Sequence, residues 1–290
     1  MSSIAHRTTN LHSYSMAPVS AVERLSNPLI SSKQLLNFKS LESEEDQSLR
    51  FAQYQLTSAA GILLRLSQEV IAQSIVLLQR FLVASIPEER EGFSAKTFSA
   101  AVIFLASKIS TTPVSPRSVV NVYAYLTSRA SPLGFANADE KPSQVEPTEY
   151  YVSEGTYEKE RQRLFICESM ILAGIGFDTQ VSLPHSLALT YLNALGVSSK
   201  KVYQRVFEHL NAGLLSPQLL YLTHQPNALA VGAIYLAARE TDTKLVGQNW
   251  WEVFDVDRED LGFLVLAYGS ITNFAESELE KWKQGPLALG

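Results

Sequence analysis

The chain has 290 residues, enough for one large domain or two of ordinary size, and 46% of them are hydrophobic, which supports a sizeable core. The net charge of -5 gives no sign of the clustered basic surface that nucleic-acid binding needs. A single cysteine, Cys167, rules out an internal disulfide framework and a cysteine-based zinc site and fits a reducing compartment, while the longest nearly apolar run, residues 228–238, is too short to cross a bilayer.

In chain order, the first twenty residues are rich in Ser and Thr, lack hydrophobic periodicity and have no apolar signal core. A disordered tail is expected over residues 1–24. Leu25, Leu29, Ile30, Leu35, Leu36 and Phe38 follow as a loosely apolar arm broken by Pro28 and expected on the domain surface. From Ser43 the helical period takes over. Ser43 is a candidate N-cap ahead of Glu44, Glu45 and Asp46, with Leu49, Leu56, Ala60, Leu63 and Leu66 on or near one face. A second helix carries Ile71, Ile75, Leu78 and Leu82 and is expected to stop at Pro87. A third starts at Ser94 with Phe98, Ala101, Val102 and Leu105. A fourth follows Pro116 with Val119, Val122, Tyr123 and Leu126. Residues 131–155, with several Pro and Gly, predict an exposed loop in which Ser131-Pro132 is a weak proline-directed phosphorylation motif. A fifth helix carries Leu164, Cys167 and Ile171 and ends at Gly174 and Gly176.

The series then begins again. Pro184 and His185 open a helix with Leu187, Tyr191 and Ala194. Val202, Val206 and Leu210 mark the next. Pro226 opens a third with Leu229, Ala233 and Leu236. Trp250, Val253 and Phe254 suggest a short fourth, and Leu261, Leu264, Val265 and Tyr268 a fifth. No segment sustains the alternation that a strand needs. Residues 100–108 align with residues 231–239 at an offset of 131, sharing Ile, Leu and Ala and pairing Phe104 with Tyr235 and Lys108 with Arg239. Both segments are the third helix of their series and are rich in small residues, which lets neighbouring helices approach closely. The reading is all-α: a central helix surrounded by four others, used twice.

Catalytic chemistry is hard to find. There is no phosphate-binding glycine loop, no H-E-x-x-H zinc motif and no G-x-S-x-G nucleophile elbow, and the five histidines are dispersed. His185 beside Pro184 is read as a capping or packing residue. Cys167 is read as a buried small hydrophobe, its thiol further disfavoured from ionising by the neighbouring Glu168. Trp250-Trp251 is expected to supply core and one exposed edge. No catalytic residue, metal site or cofactor is expected.

At this point the sequence resembles the cyclin family, over roughly residues 25–275. Two five-helix repeats with small-residue central helices describe the cyclin-box fold. Leu105-Ala106-Ser107-Lys108-Ile109 is similar to the end of the third helix of a first cyclin box, and Gly176-Phe177-Asp178 to the close of the fifth. Ala59-Ala60-Gly61-Ile62-Leu63-Leu64-Arg65-Leu66 and Pro116-Arg117-Ser118-Val119-Val120-Asn121-Val122-Tyr123 resemble cyclin L in particular, and Leu183-Pro184-His185 resembles transcription-type cyclins. The resemblance implies an N-terminal box with its arm at 25–180, a C-terminal box at 181–280 and a tail at 281–290. It implies a regulatory subunit, not an enzyme, that binds and activates a cyclin-dependent protein kinase in RNA polymerase II transcription or pre-mRNA splicing, in the nucleus. Transcription or splicing factors are further candidate partners; direct nucleic-acid and membrane contact are not expected. The kinase-binding residues it implies are Lys108, of the Ala-Ser-Lys motif, and Glu168, nine residues before Phe177, both off the apolar core face. Where the family continues Lys-x-Glu-Glu this chain has Ser110-Thr111, and it ends without the Arg/Ser-rich tail usual in cyclin L. A cell-cycle or metabolic cyclin is the alternative. A TFIIB-like basal factor, with the same fold, would need a basic face and a zinc ribbon.

Overall fold

The computed structural model describes residues 25–128, 131, 133, 150–245 and 247–284. The expected tail at 1–24 and most of the expected 131–155 loop lie outside the described residues. Eleven α-helices and no strand occur among those described.

Ten of the helices form two series. The first comprises α2 (Glu44–Leu63), α3 (Gln68–Ala84), α4 (Ala95–Ile109), α5 (Pro116–Leu126) and α6 (Glu154–Gly174). The second comprises α7 (Pro184–Ala194), α8 (Lys200–Gly213), the one-turn α9 (Leu220–Thr223), α10 (Pro226–Glu240), a 3-10 turn at Trp250–Phe254 and α11 (Arg258–Gln284). The starts follow local chemistry. Ser43, Ser67, Ser94, Ser115 and Ser153 each accept a hydrogen bond from the backbone N–H three residues on, and Pro116, Pro184 and Pro226 occupy first turns where no N–H is needed. α3 ends at Ala84, before Pro87, which instead opens a 3-10 turn.

The central helices are α4 and α10. α4 packs against α2, α3, α5 and α6; α10 packs against α7, α8, α9 and α11. Each has 15 residues, and the repeat offset carries Ala95 onto Pro226 and Ile109 onto Glu240. Small side chains permit the crowding. A Cβ on Gly232 of α10 would lie 2.9 Å from Leu264 Cβ, and one on Gly61 of α2 would collide with Ile71 Cγ1. The first core also contains a chain of buried hydroxyls. Thr57 Oγ1 lies 2.7 Å from Ser99 Oγ, which lies 2.6 Å from Tyr123 Oη, so three helices satisfy one another's polar groups.

Four sequence expectations change. The arm contains a helix, α1 (Ser32–Leu41), capped by a reciprocal Ser31–Gln34 box. It has no fully buried residue, so hydrophobic periodicity gave no sign of it. Leu63 is exposed at the end of α2, because Arg65 turns the chain with positive φ and returns Leu66 to the core instead. The expected tail starts inside α11, which runs on to Gln284. There Trp282 is buried, its ring centroid 5.5 Å from that of Phe51 and its indole N–H donating to Ser48 Oγ at 3.1 Å. The last turns of the second series thus pack on the first helix of the first. The opening of α6 at Glu154 likewise removes Glu154 and Gly155 from the expected loop.

Candidate functional site

Lys108 sits in the last turn of α4, where a cation complements the helix C-terminus. Glu168 sits on α6 beside the core stripe of Leu164, Cys167 and Ile171. Because α4 and α6 pack along each other, these residues meet: Lys108 Nζ forms an ion pair with Glu168 Oε1. The pair is asymmetric. The lysine side chain is 44% exposed and the glutamate 9%. The expectation that both lie off the buried face therefore holds for Lys108 and fails for Glu168, whose stem is enclosed by the α4–α6 contact. Lys108 Nζ also lies 4.7 Å from the centroid of the Phe104 ring, one helical turn back.

The segment after Lys108 shows what replaces the missing acids. Ser110 caps α4, its backbone N–H donating to Ser107 O at 3.2 Å and its hydroxyl to the same oxygen at 2.8 Å. Thr112 N–H in turn donates to Ser110 Oγ at 3.1 Å. The Ser110 hydroxyl thus closes the helix without a carboxylate. At the far end of α6, Gly176 and Phe177 both have positive φ, and Phe177 N–H donates back to Leu172 O at 2.8 Å. The Gly-Phe-Asp segment is a helix stop, and glycine is the residue that takes this geometry most readily.

Among the described residues, no group of three or more His, Cys, Asp or Glu could hold a metal ion. The Cys167 thiol is buried and its pKa is pushed up to about 12 by that burial; Glu168 is not the cause. His185 packs 5.6 Å from the Phe207 ring and its Nε2 lies 3.0 Å from Asn211 Oδ1, a packing role as expected. Trp250 is buried and Trp251 partly so. The sequence reading missed an ionic cluster on the second series: Arg205 donates twice to Glu240 Oε2, at 2.8 and 2.6 Å, and His209 Nε2 lies 2.9 Å from the same oxygen. Its members are scattered over two helices, and no local pattern joins them.

No family model matches the chain. An uncharacterised cyclin-L1-like protein of Schizosaccharomyces pombe is 30% identical over 243 residues, covering 83% of this chain and 88% of that protein. The chain belongs to the cyclin family, in its L group. The cyclin L homolog of Caenorhabditis elegans is 28% identical over 235 residues and mouse Cyclin-L2 29% over 223. The present cyclin spans only 47% and 40% of the lengths of these two. Among solved structures, it superposes on a chain of the yeast RNA polymerase II CTD kinase CTDK-1 complex with a TM-score of 0.65 and 16% identity, covering 86% of this cyclin and 73% of that chain. A chain of the Chaetomium thermophilum CAK complex bound to ATP-γ-S gives a TM-score of 0.53 and 15% identity over 92% of this cyclin and 74% of that chain. These two likenesses show the fold. The all-α, twice-repeated architecture expected from the sequence is therefore that of the cyclin, with Lys108 and Glu168 paired on its first repeat.

Proposed function

We propose that this cyclin is the non-catalytic, activating subunit of a cyclin-dependent serine/threonine kinase, acting in the nucleus in RNA polymerase II transcription or pre-mRNA splicing, and that it docks its kinase through Lys108 and Glu168. The observation that carries the reading is the ion pair itself, built from two helices and half-open to solvent on one side. A kinase becomes active when its β3 lysine pairs with its αC glutamate and its activation loop is placed. A partner that adds no catalytic group acts by contacting the active arrangement more favourably than the inactive one. A buried carboxylate that fixes an exposed ammonium presents that ammonium in one position, and charge-assisted hydrogen bonds from such a group are among the stronger contacts at an interface. Likeness to L-group cyclins and to a chain of the RNA polymerase II CTD kinase CTDK-1 complex supports the transcription role, and the two kinase complexes with similarly folded chains support the partner class.

The test is co-purification of the full chain with its kinase, followed by substitution. Lys108→Ala combined with Glu168→Ala is expected to weaken kinase binding at least about tenfold, the equivalent of about 1.4 kcal/mol, and to lower kinase activity in parallel. Lys244→Ala, an exposed change on the second repeat, is the control and is expected to do little. A folded double variant that still binds and activates its kinase normally would overturn the docking mode.

A further inference from the structure

Lys108 and Glu168 form one end of a longer alternating array across the α4–α6 contact. Phe104, almost wholly buried, lies between Lys108 and a second ring: its centroid is 5.9 Å from that of Phe165, with 42° between the planes. Phe165 is in turn covered by Arg161, whose Cζ is 5.4 Å from the ring centroid, and Arg161 Nη1 donates to Glu158 Oε2 at 2.7 Å. The order across the α4–α6 contact is carboxylate, cation, ring, ring, cation, carboxylate. Helical spacing produces it: Phe104 and Lys108 are one turn apart on α4, and Glu158, Arg161, Phe165 and Glu168 recur every three or four residues on α6.

We propose that Phe104 and Phe165 are positioning residues for Lys108, a role that rests on the kinase-docking reading above. An ammonium on a four-carbon stem has many rotamers, and ordering it on binding costs free energy that a partner contact must offset. The Phe104 ring offers the ammonium its negative face from the side away from solvent, and Glu168 restrains the same nitrogen from the neighbouring helix. Phe165 backs the Phe104 ring at a distance typical of favourable aromatic pairs. Lys108 is thereby arranged for its partner before the partner arrives, which raises affinity by lowering the ordering cost.

Two measurements test this with the full chain. The first needs no partner. In the free protein, the Lys108 ε-methylene protons are expected to show an upfield ring-current shift by NMR that Phe104→Leu abolishes and Phe165→Leu diminishes. Unshifted ε-methylene resonances in the unaltered protein would overturn the proposal. The second is a double-mutant cycle against the kinase that co-purifies with this cyclin, produced recombinantly. Phe104→Leu is expected to weaken binding about three- to fivefold when Lys108 is present, a cation–ring contribution of ordinary size. It is expected to have no further effect in the Lys108→Ala background. Equal losses in both backgrounds would reduce Phe104 to a packing residue and overturn the inference while leaving the docking site intact. Should Phe104→Leu fail to fold, Phe165→Leu, at a 37% exposed position, takes its place in the cycle with the same criterion. If Lys108→Ala with Glu168→Ala leaves binding unchanged, the docking reading fails, and the NMR shift still decides whether the rings position the lysine.

Discussion

Asn27 and Gln225, 198 residues apart, hold each other in both directions: Asn27 N–H donates to Gln225 Oε1 at 2.9 Å, and Gln225 Nε2 donates to Asn27 O at 3.0 Å. The Asn27 side chain adds two bonds to the linker between the repeats, donating to Ser182 O at 2.7 Å and accepting from Ser182 N–H at 2.8 Å. Three residues further along, Ile30 N–H donates to Leu222 O at 3.0 Å. One buried asparagine thus ties the arm to the linker and to the second repeat.

Asn27→Ala should lower stability by about 2 kcal/mol, because it removes both side-chain hydrogen bonds that the buried Asn27 makes to the Ser182 backbone. The midpoint of thermal unfolding should fall by roughly 4–8 °C in a chain of this size. An unchanged melting curve would mean that the arm does not hold the repeats together.

Lys108→Ala should destabilise the free protein by about 1–2 kcal/mol, more than its exposure suggests, since it strands the buried Glu168 carboxylate. Adding Glu168→Ala should recover part of that loss. Urea unfolding of the two variants measures both numbers, and a double variant less stable than the single by a full additive amount would contradict the pairing.

Tyr123→Phe removes one end of the Thr57–Ser99–Tyr123 hydroxyl chain and should cost about 1 kcal/mol. Ser99→Ala breaks both links and should cost more. The order of the two costs, read from denaturant midpoints at constant slope, is the check.

Trp282→Ala should cost about 3 kcal/mol through the lost contact with Phe51 and the unpaired hydroxyl of Ser48. A loss of a few tenths only would show that the end of α11 is a solvated extension.

Acidification should weaken the fold over a defined window. Burial lowers the pKa of His185, opposed by its hydrogen bond to Asn211, and burial likewise lowers that of His224. An unfolded histidine titrates near 6.5, so between that pH and the lower folded values the unfolded chain binds more protons and stability falls with falling pH. Above about pH 6.5 these groups contribute a constant amount. The thermal midpoint should therefore be flat from pH 7 to 8 and drop towards pH 5.5, with a shallower drop in His185→Gln.

How much of this was legible beforehand varied by element. Ser43, Ser94, Pro116, Pro184 and Pro226 mark helix starts through bonds made within one turn, and the sequence displays them directly. The residues 100–108 and 231–239 predict two equivalent central helices because small side chains at those positions serve close packing whatever surrounds them. Glu168 is different: its number came from likeness to cyclins, since nothing in its own neighbourhood distinguishes it from the other acids of α6.

The sequence by itself determined the helical class, the duplication and the helix starts marked by Ser caps and Pro, all of which follow from hydrogen bonds and periodicities between residues a few positions apart. The tertiary structure alone decided that Asn27 bridges arm, linker and second repeat, that Trp282 returns to Phe51, and that Phe104 and Phe165 stand between Lys108 and Arg161. The Asn27, Trp282–Phe51 and Phe104–Phe165 contacts join residues dozens to hundreds of positions apart, and which of them form depends on how neighbouring helices cross once the two cores have packed.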